Sequence, residues 1–174
     1  MTDETKHQDR LQRNPHLAGF TGMLPSKDGE SDESEASCGG AFGYLRGLKD
    51  SSAAVEFRFR DGNSIWFSYS LLGTWRYNPS CGLLLKFTGD VVSLVLIKAS
   101  NLDRPLNEGA IDLIHAGLQR HRVLWVREMS KEEIEQIGDR GPTIDSIEVV
   151  EFESQQEIRE WLTKQAAAFL PTSH

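Results

Sequence analysis

Positive charge is in short supply in this 174-residue chain: 19 Lys and Arg stand against 26 Asp and Glu, a formal net charge of −7. Phosphate affinity depends on clustered cations, so this balance argues against nonspecific DNA or RNA binding as the main activity. Cysteine is scarcer still. Cys38 and Cys81 have no near neighbour of their own kind, which excludes a CxxC metal or redox spacing and points to free thiols in a reducing cytoplasm. The longest apolar run, "VVSLVLI", is far too short to span a bilayer. The opening "MTDETKHQDR" is followed by no apolar core of signal-peptide length. The expectation is a soluble, unexported, cytoplasmic protein with no membrane association. Also missing are GxSxG, HExxH and a Cys with an evident activating partner. "GGAFG" lacks the Lys-Ser/Thr that completes a phosphate loop. No motif names a reaction, and no cofactor is expected.

What is present is unevenly spread. Residues 1–52 carry six basic and nine acidic side chains, residues 53–128 nine and seven, and residues 129–174 four and ten. The middle is slightly basic and the ends are acidic. Within residues 1–52, "PSKDGESDESEASCGG" has few large apolar side chains, a composition that cannot repay the entropy of ordering. Residues 1–52 therefore read as a flexible acidic tail, and residues 53–170 as a single α+β domain. Two apolar clusters interrupt the tail: "AFGYLRGL" at 41–48 is a candidate docking strand through Phe42, Tyr44 and Leu48, and "HLAGFTGML" at 16–24 a weaker one.

Hairpins dominate the domain. "VEFRFRDGNSIWFSYS" at 55–70 alternates apolar and polar residues around Asp61-Gly62-Asn63. A three-residue loop over those residues sets Phe59 opposite Ile65, Phe57 opposite Phe67 and Val55 opposite Tyr69, which gathers all six on one face. The other face then sets Arg58 opposite Trp66. In "LLLKFTGDVVSLVLI", a two-residue turn at Gly89-Asp90 sets Phe87 opposite Val92 and Leu85 opposite Leu94. Apolar residues on both faces make this hairpin central. "TWRY", "RVLWVRE" and "IDSIEVVEF" supply further strands, for a curved, mostly antiparallel sheet or small barrel of five to seven strands.

Three segments read as helices. "LNEGAIDLIHAGLQR" spaces Leu106, Ala110, Leu113, Ile114 and Leu118 helically, with Asn107 as a possible cap. "SKEEIEQIG" and "SQQEIREWLTKQAAAFL" each open with a capping box, Ser130 with Glu133 and Ser154 with Glu157. The second carries an apolar stripe, Ile158, Trp161, Leu162, Ala166 and Phe169, that needs a sheet to cover.

Two constellations carry chemistry. Arg58, Arg60 and Trp66, with Arg76 nearby, form a basic and aromatic face of the kind single-stranded nucleic acid uses; an Arg–Trp cation–π pair also stabilises a sheet with no ligand at all. Asp112 and His115, three residues apart, with His121 following, are weak candidates for a metal or acid–base site, since a closed site needs three or four ligands. His7, His16 and His174 lie in the terminal regions.

Five short, bent strands resemble the small barrels of Sm-like and SH3-like proteins, without the Asp and Asn signature that Sm proteins carry after their second strand. Up to seven strands followed by the helix from Ser154 is an order similar to pleckstrin-homology-like domains. Both likenesses concern fold and imply no function. The expectation is a non-catalytic interaction or regulatory module with a protein partner. RNA or single-stranded DNA binding through Arg58, Arg60 and Trp66 is the first alternative, and a small enzyme around Asp112, His115 and His121 the second. Glu148, Glu151 and Glu153 on one strand disfavour pairing of that edge with its own copy, which suits a monomer or a dimer joined elsewhere.

Overall fold

The computed structural model describes residues 35–170; the tail reading of residues 1–34, the docking expectation for residues 16–24, and His7, His16 and His174 lie outside the described residues. In chain order the strands are β1 (Glu35–Cys38), β2 (Phe42–Leu45), β3 (Ala54–Arg58), β4 (Ser64–Ser68), β5 (Leu72–Asn78), β6 (Gly82–Thr88), β7 (Val92–Ser100), β8 (Val123–Arg127) and β9 (Thr143–Phe152). The helices are α1 (Lys131–Ile137) and α2 (Gln155–Gln165). The class is α+β, and the strands form two sheets where the sequence suggests one. The first has the order β1-β2-β8-β3-β4 and the second β5-β6-β7-β9. Every pairing is antiparallel except β3 with β8. Neither sheet closes on itself, so the small-barrel arrangement is not realised.

The first sheet begins at Glu35 rather than at residue 53. Phe42 and Tyr44 of β2 are buried at 0% and 5% exposure, whereas Leu48 of the same cluster is 78% exposed. A strand this short has little local preference of its own. It is held by pairing on both sides, with β1 and with β8.

The β3–β4 loop has three residues, as the alternation requires, but they are Arg60-Asp61-Gly62, one position earlier than expected. The Phe59 N–H donates to the Asn63 carbonyl (2.9 Å) and the Gly62 N–H to the Phe59 carbonyl (3.1 Å). Gly62 takes the left-handed conformation at φ 88°. The Asp61 carboxylate accepts the Asn63 N–H at 2.9 Å. Moving the loop by one residue slides the pairing by two, which preserves the faces and changes the partners: Val55 opposes Phe67, Phe57 opposes Ile65, and Glu56, not Arg58, opposes Trp66.

The β6–β7 turn also has three residues, Gly89-Asp90-Val91, closing at Thr88 and Val92. Here the slip is one residue, which exchanges faces. Leu83, Leu85, Phe87, Val95 and Ile97 join the main core, while Leu84, Leu94 and Leu96 join a second cluster. With apolar side chains on both faces, hydrophobicity does not distinguish the two registers.

The main core lies between the sheets. Phe57 of β3 and Phe67 of β4 both meet Phe87 of β6: Phe67 and Phe87 stack at 4.4 Å between ring centroids, and Phe57 meets both edge-on at 6.1 and 6.3 Å. On the far face of the second sheet, Ile158 of α2 and Ala166 and Phe169 of the turn that follows it cover Leu84, Leu94 and Leu96. The layers are thus sheet, sheet, helix. Both helices start from complete capping boxes, Ser130 with Glu133 and Ser154 with Glu157.

Residues 107–119 do not form the expected helix. Gly109 is left-handed (φ 84°) and Asp112 is extended, which together break any helical path. Asp112 rather than Asn107 is the cap, opening a wide π-type turn over Leu113–Gly117. Burial follows the apolar spacing all the same, with Leu113, Ile114 and Leu118 at 2% exposure or less. Among the described residues no helix is long and apolar enough to cross a membrane.

The segment 41–48 offers a direct test of this arrangement. Phe42→Ala removes a fully buried ring and should cost about 3–5 kcal/mol in denaturant unfolding; Leu48→Ala should stay within about 0.5 kcal/mol. Equal effects of the two substitutions would refute the placement of β2 in the core.

Candidate functional site

Arg58, Arg60 and Trp66 lie at the outer face and tip of the β3–β4 hairpin, where side chains of the chain itself occupy the cations. Arg58 is paired with Glu56 at 2.7 Å. Its guanidinium sits 4.6 Å from the ring centre of Trp125 on β8, the neighbouring parallel strand, rather than over Trp66. Trp125 in turn donates to the Glu35 carboxylate (2.9 Å). The indole lies across β2 because position 43 is glycine, where a Cβ would fall 2.2 Å from the indole nitrogen. Trp66 remains 62% exposed. Burial would raise the Glu56 carboxyl, but hydrogen bonds from Arg58 and Ser64 prevail and hold it below its ordinary range.

Arg60 belongs to a corner that stitches the two sheets together. The Glu128 carboxylate accepts the backbone N–H of Arg60 and that of Ile147 on β9, each at 2.8 Å, while the Arg60 guanidinium reaches the Asp145 carbonyl and carboxylate. Close by, Arg127 joins the Gly40 carbonyl (3.0 Å) to Glu133 (2.7 Å). Glu133 also accepts the Ser130 N–H at 2.8 Å, completing the α1 cap. These groups line a hollow of about 660 Å³. Three arginines and the three glutamates Glu56, Glu128 and Glu133 line it, so it presents little net charge.

The Asp112, His115 and His121 set is not brought together as a ligand group. Asp112 accepts the backbone N–H groups of His115 and Ala116 and lies 3.2 Å from His115 Nδ1. His121 stacks on Tyr69 at 4.4 Å and takes a left-handed conformation just before β8. Among the described residues no group of three or more His, Cys, Asp or Glu side chains is placed to hold a metal ion.

Arg76 is on β5, on the opposite side of the sandwich from Arg58, and there the structure forms a different site. Where α2 crosses the second sheet it leaves a groove of about 650 Å³, with Leu84, Leu94, Ile158, Leu162 and Phe169 as its apolar lining. Arg76, Lys86 and Arg159 stand around it, with Thr74, Gln155 and Thr163 as neutral polar neighbours. No carboxylate lines it. Arg76 Nη1 donates to the Phe169 carbonyl at 2.7 Å, which fixes one cation at the C-terminal end of the helix. None of the three makes an ion pair among the described residues. In a chain of net charge −7, this is a local reversal of sign.

The sequence signals for this groove are a lysine among the leucines of "LLLKF" and an arginine next to Ile158 on the stripe of α2. Neither is informative until the strand register puts Lys86 beside Leu84 and Leu94. No protein-family model, no curated protein and no solved structure matches the chain.

The Arg127–Glu133 link predicts an acid-dependent loss of stability. The hydrogen bond from Arg127 holds the Glu133 carboxyl below its ordinary range, so its contribution is present above that range and disappears as pH falls through the lowered value. Glu133→Gln keeps a cap but loses the ion pair. Solvent screening at this half-exposed pair limits the expected loss to under about 1 kcal/mol at pH 7. The difference from wild type should shrink as pH falls below the ordinary carboxyl value of about 4.3 and vanish below the lowered one; a difference independent of pH would contradict the link.

Proposed function

We propose that the chain is a non-catalytic interaction module whose groove between α2 and the second sheet holds an acidic, leucine- or phenylalanine-bearing segment of a partner protein. The observation that carries this reading is the pairing of an apolar lining with Arg76, Lys86 and Arg159 and no lining carboxylate. Apolar side chains of the partner supply area, and its carboxylates supply orientation and rate of encounter. The lining is largely aliphatic, which disfavours nucleic acid there, since unpaired bases are gripped by stacking on aromatic rings. At the hairpin face, Arg58 and Arg60 are engaged by Glu56 and Asp145, so oligonucleotide binding ranks second.

Fluorescence anisotropy with a labelled peptide alternating Glu with Leu and Phe, and its Lys-substituted counterpart, tests the reading. The acidic peptide should bind more tightly, lose affinity as salt rises, and bind at least about tenfold more weakly to the double variant Arg76→Glu, Arg159→Glu. Equal binding of the two peptides, or an unaffected double variant, would overturn it. A single-stranded oligonucleotide in the same titration whose binding falls on Arg58→Ala and survives the double variant would move the function to the hairpin face.

A further inference from the structure

The most telling buried group outside that groove is Arg122, which immediately precedes β8. It is 3% exposed, yet makes no ion pair among the described residues. Nε and Nη2 donate to the Leu45 carbonyl at 2.9 and 2.7 Å, and Nη2 also to the Arg46 carbonyl at 2.8 Å. Nη1 makes no hydrogen bond among the described residues. A buried guanidinium satisfied only by carbonyl dipoles keeps its whole charge, and removing such a charge from water without a counter-ion is expensive.

Tyr44 repeats the pattern. It is 5% exposed, its ring packs 5.9 Å from that of Phe42, and its hydroxyl has no hydrogen bond among the described residues. Among those residues, no fully enclosed side-chain nitrogen or oxygen is left unpartnered, which gives Arg122 Nη1 and Tyr44 Oη the small accessible surface these residues retain. Both residues line one cleft of about 430 Å³ at the β1 edge of the first sheet. Ser37, Arg46 and Asn107 line it too, and Glu108 is its one carboxylate. The lining residues carry two guanidinium groups, two hydroxyls and an amide, a donor set suited to an oxyanion. Its volume falls in the range of small-molecule sites, about 300–1,000 Å³, with room for an organic remainder beyond the anion.

We propose that this cleft is a binding site for a small phosphate monoester, with Arg122 as the buried counter-charge, Tyr44 Oη as a directional donor, Arg46 as the exposed second cation and Glu108 as a carboxylate that must turn away when the anion enters. It is separate from the groove beside α2 and shares no lining residue with it.

Titration calorimetry of the full chain with β-glycerophosphate, inorganic phosphate and acetate tests the assignment. The ester should bind saturably, and more tightly than inorganic phosphate, with acetate weakest. Tyr44→Phe keeps the ring and should weaken ester binding about threefold to tenfold; Arg46→Ala should weaken it at least tenfold, and Glu108→Gln should strengthen it severalfold. The groove variant Arg76→Glu, Arg159→Glu should bind the ester as wild type does. No saturable binding up to about 10 mM, indifference to Tyr44→Phe and Arg46→Ala, or loss of ester binding in the groove variant would each overturn the proposal. Acetate binding as tightly as the ester would refute the phosphate assignment.

Discussion

The meeting of three rings, Phe57, Phe67 and Phe87, is the contact on which the architecture depends. Two of them belong to the first sheet and one to the second, and the stacked pair at 4.4 Å spans the gap between sheets. A twisted sheet with one apolar face has no stable existence alone, and the aromatic area buried here is of the size that decides such packing. Once the sheets are set face to face, the remaining placements follow. The outer side of β6 and β7 is left apolar and has to be roofed by α2, while the outer side of β3 and β8 is left polar and is closed by Arg58 with Glu56 and Trp125.

That division sets where uncancelled positive charge resides. At the hairpin corner Arg58, Arg60 and Arg127 each have a carboxylate partner within the chain, so these charges contribute to holding the sheets rather than to attracting anything. The groove beside α2 and the cleft around Arg122 differ in the same respect: their cations are held by backbone carbonyls or left in solvent. Carbonyl dipoles position a guanidinium without cancelling its charge. The acidity of the whole molecule masks both places in any reading of average composition.

The parts of the structure that were legible in the sequence are those set by rules of short range. Both capping boxes are where Ser130–Glu133 and Ser154–Glu157 indicate, and the alternation in 55–70 assigns the buried and exposed faces of β3 and β4 even though the loop sits one residue early. The buried leucines of 106–118 also follow from spacing alone. What was not legible depends on distant partners. β1, "EASC", has no strand signature and is a strand because β2 lies beside it. The β6–β7 register is ambiguous because apolar residues on both faces satisfy either choice. Arg58 finds Trp125 rather than Trp66 because β8 inserts next to β3, a neighbour nearly 70 positions away in the chain. The groove inherits that difficulty, since Arg76, Lys86 and Arg159 meet only after sheet and helix have packed.

The insertion of β8 between β2 and β3 also has a temporal side. During synthesis β2 and β3 emerge early, but the strand that joins them is not made until residue 127, so until then each has an open flank facing the position β8 will take. The β5–β6–β7 meander, by contrast, pairs entirely within residues 72–100, and only the far flank of β7 stays open until β9 is made at residues 143–152. Local pairings form sooner than distant ones because less chain entropy is lost in closing them. The β5–β6–β7 meander is therefore the natural template, and each sheet keeps an open flank until the ribosome delivers one late strand, β8 to the first and β9 to the second.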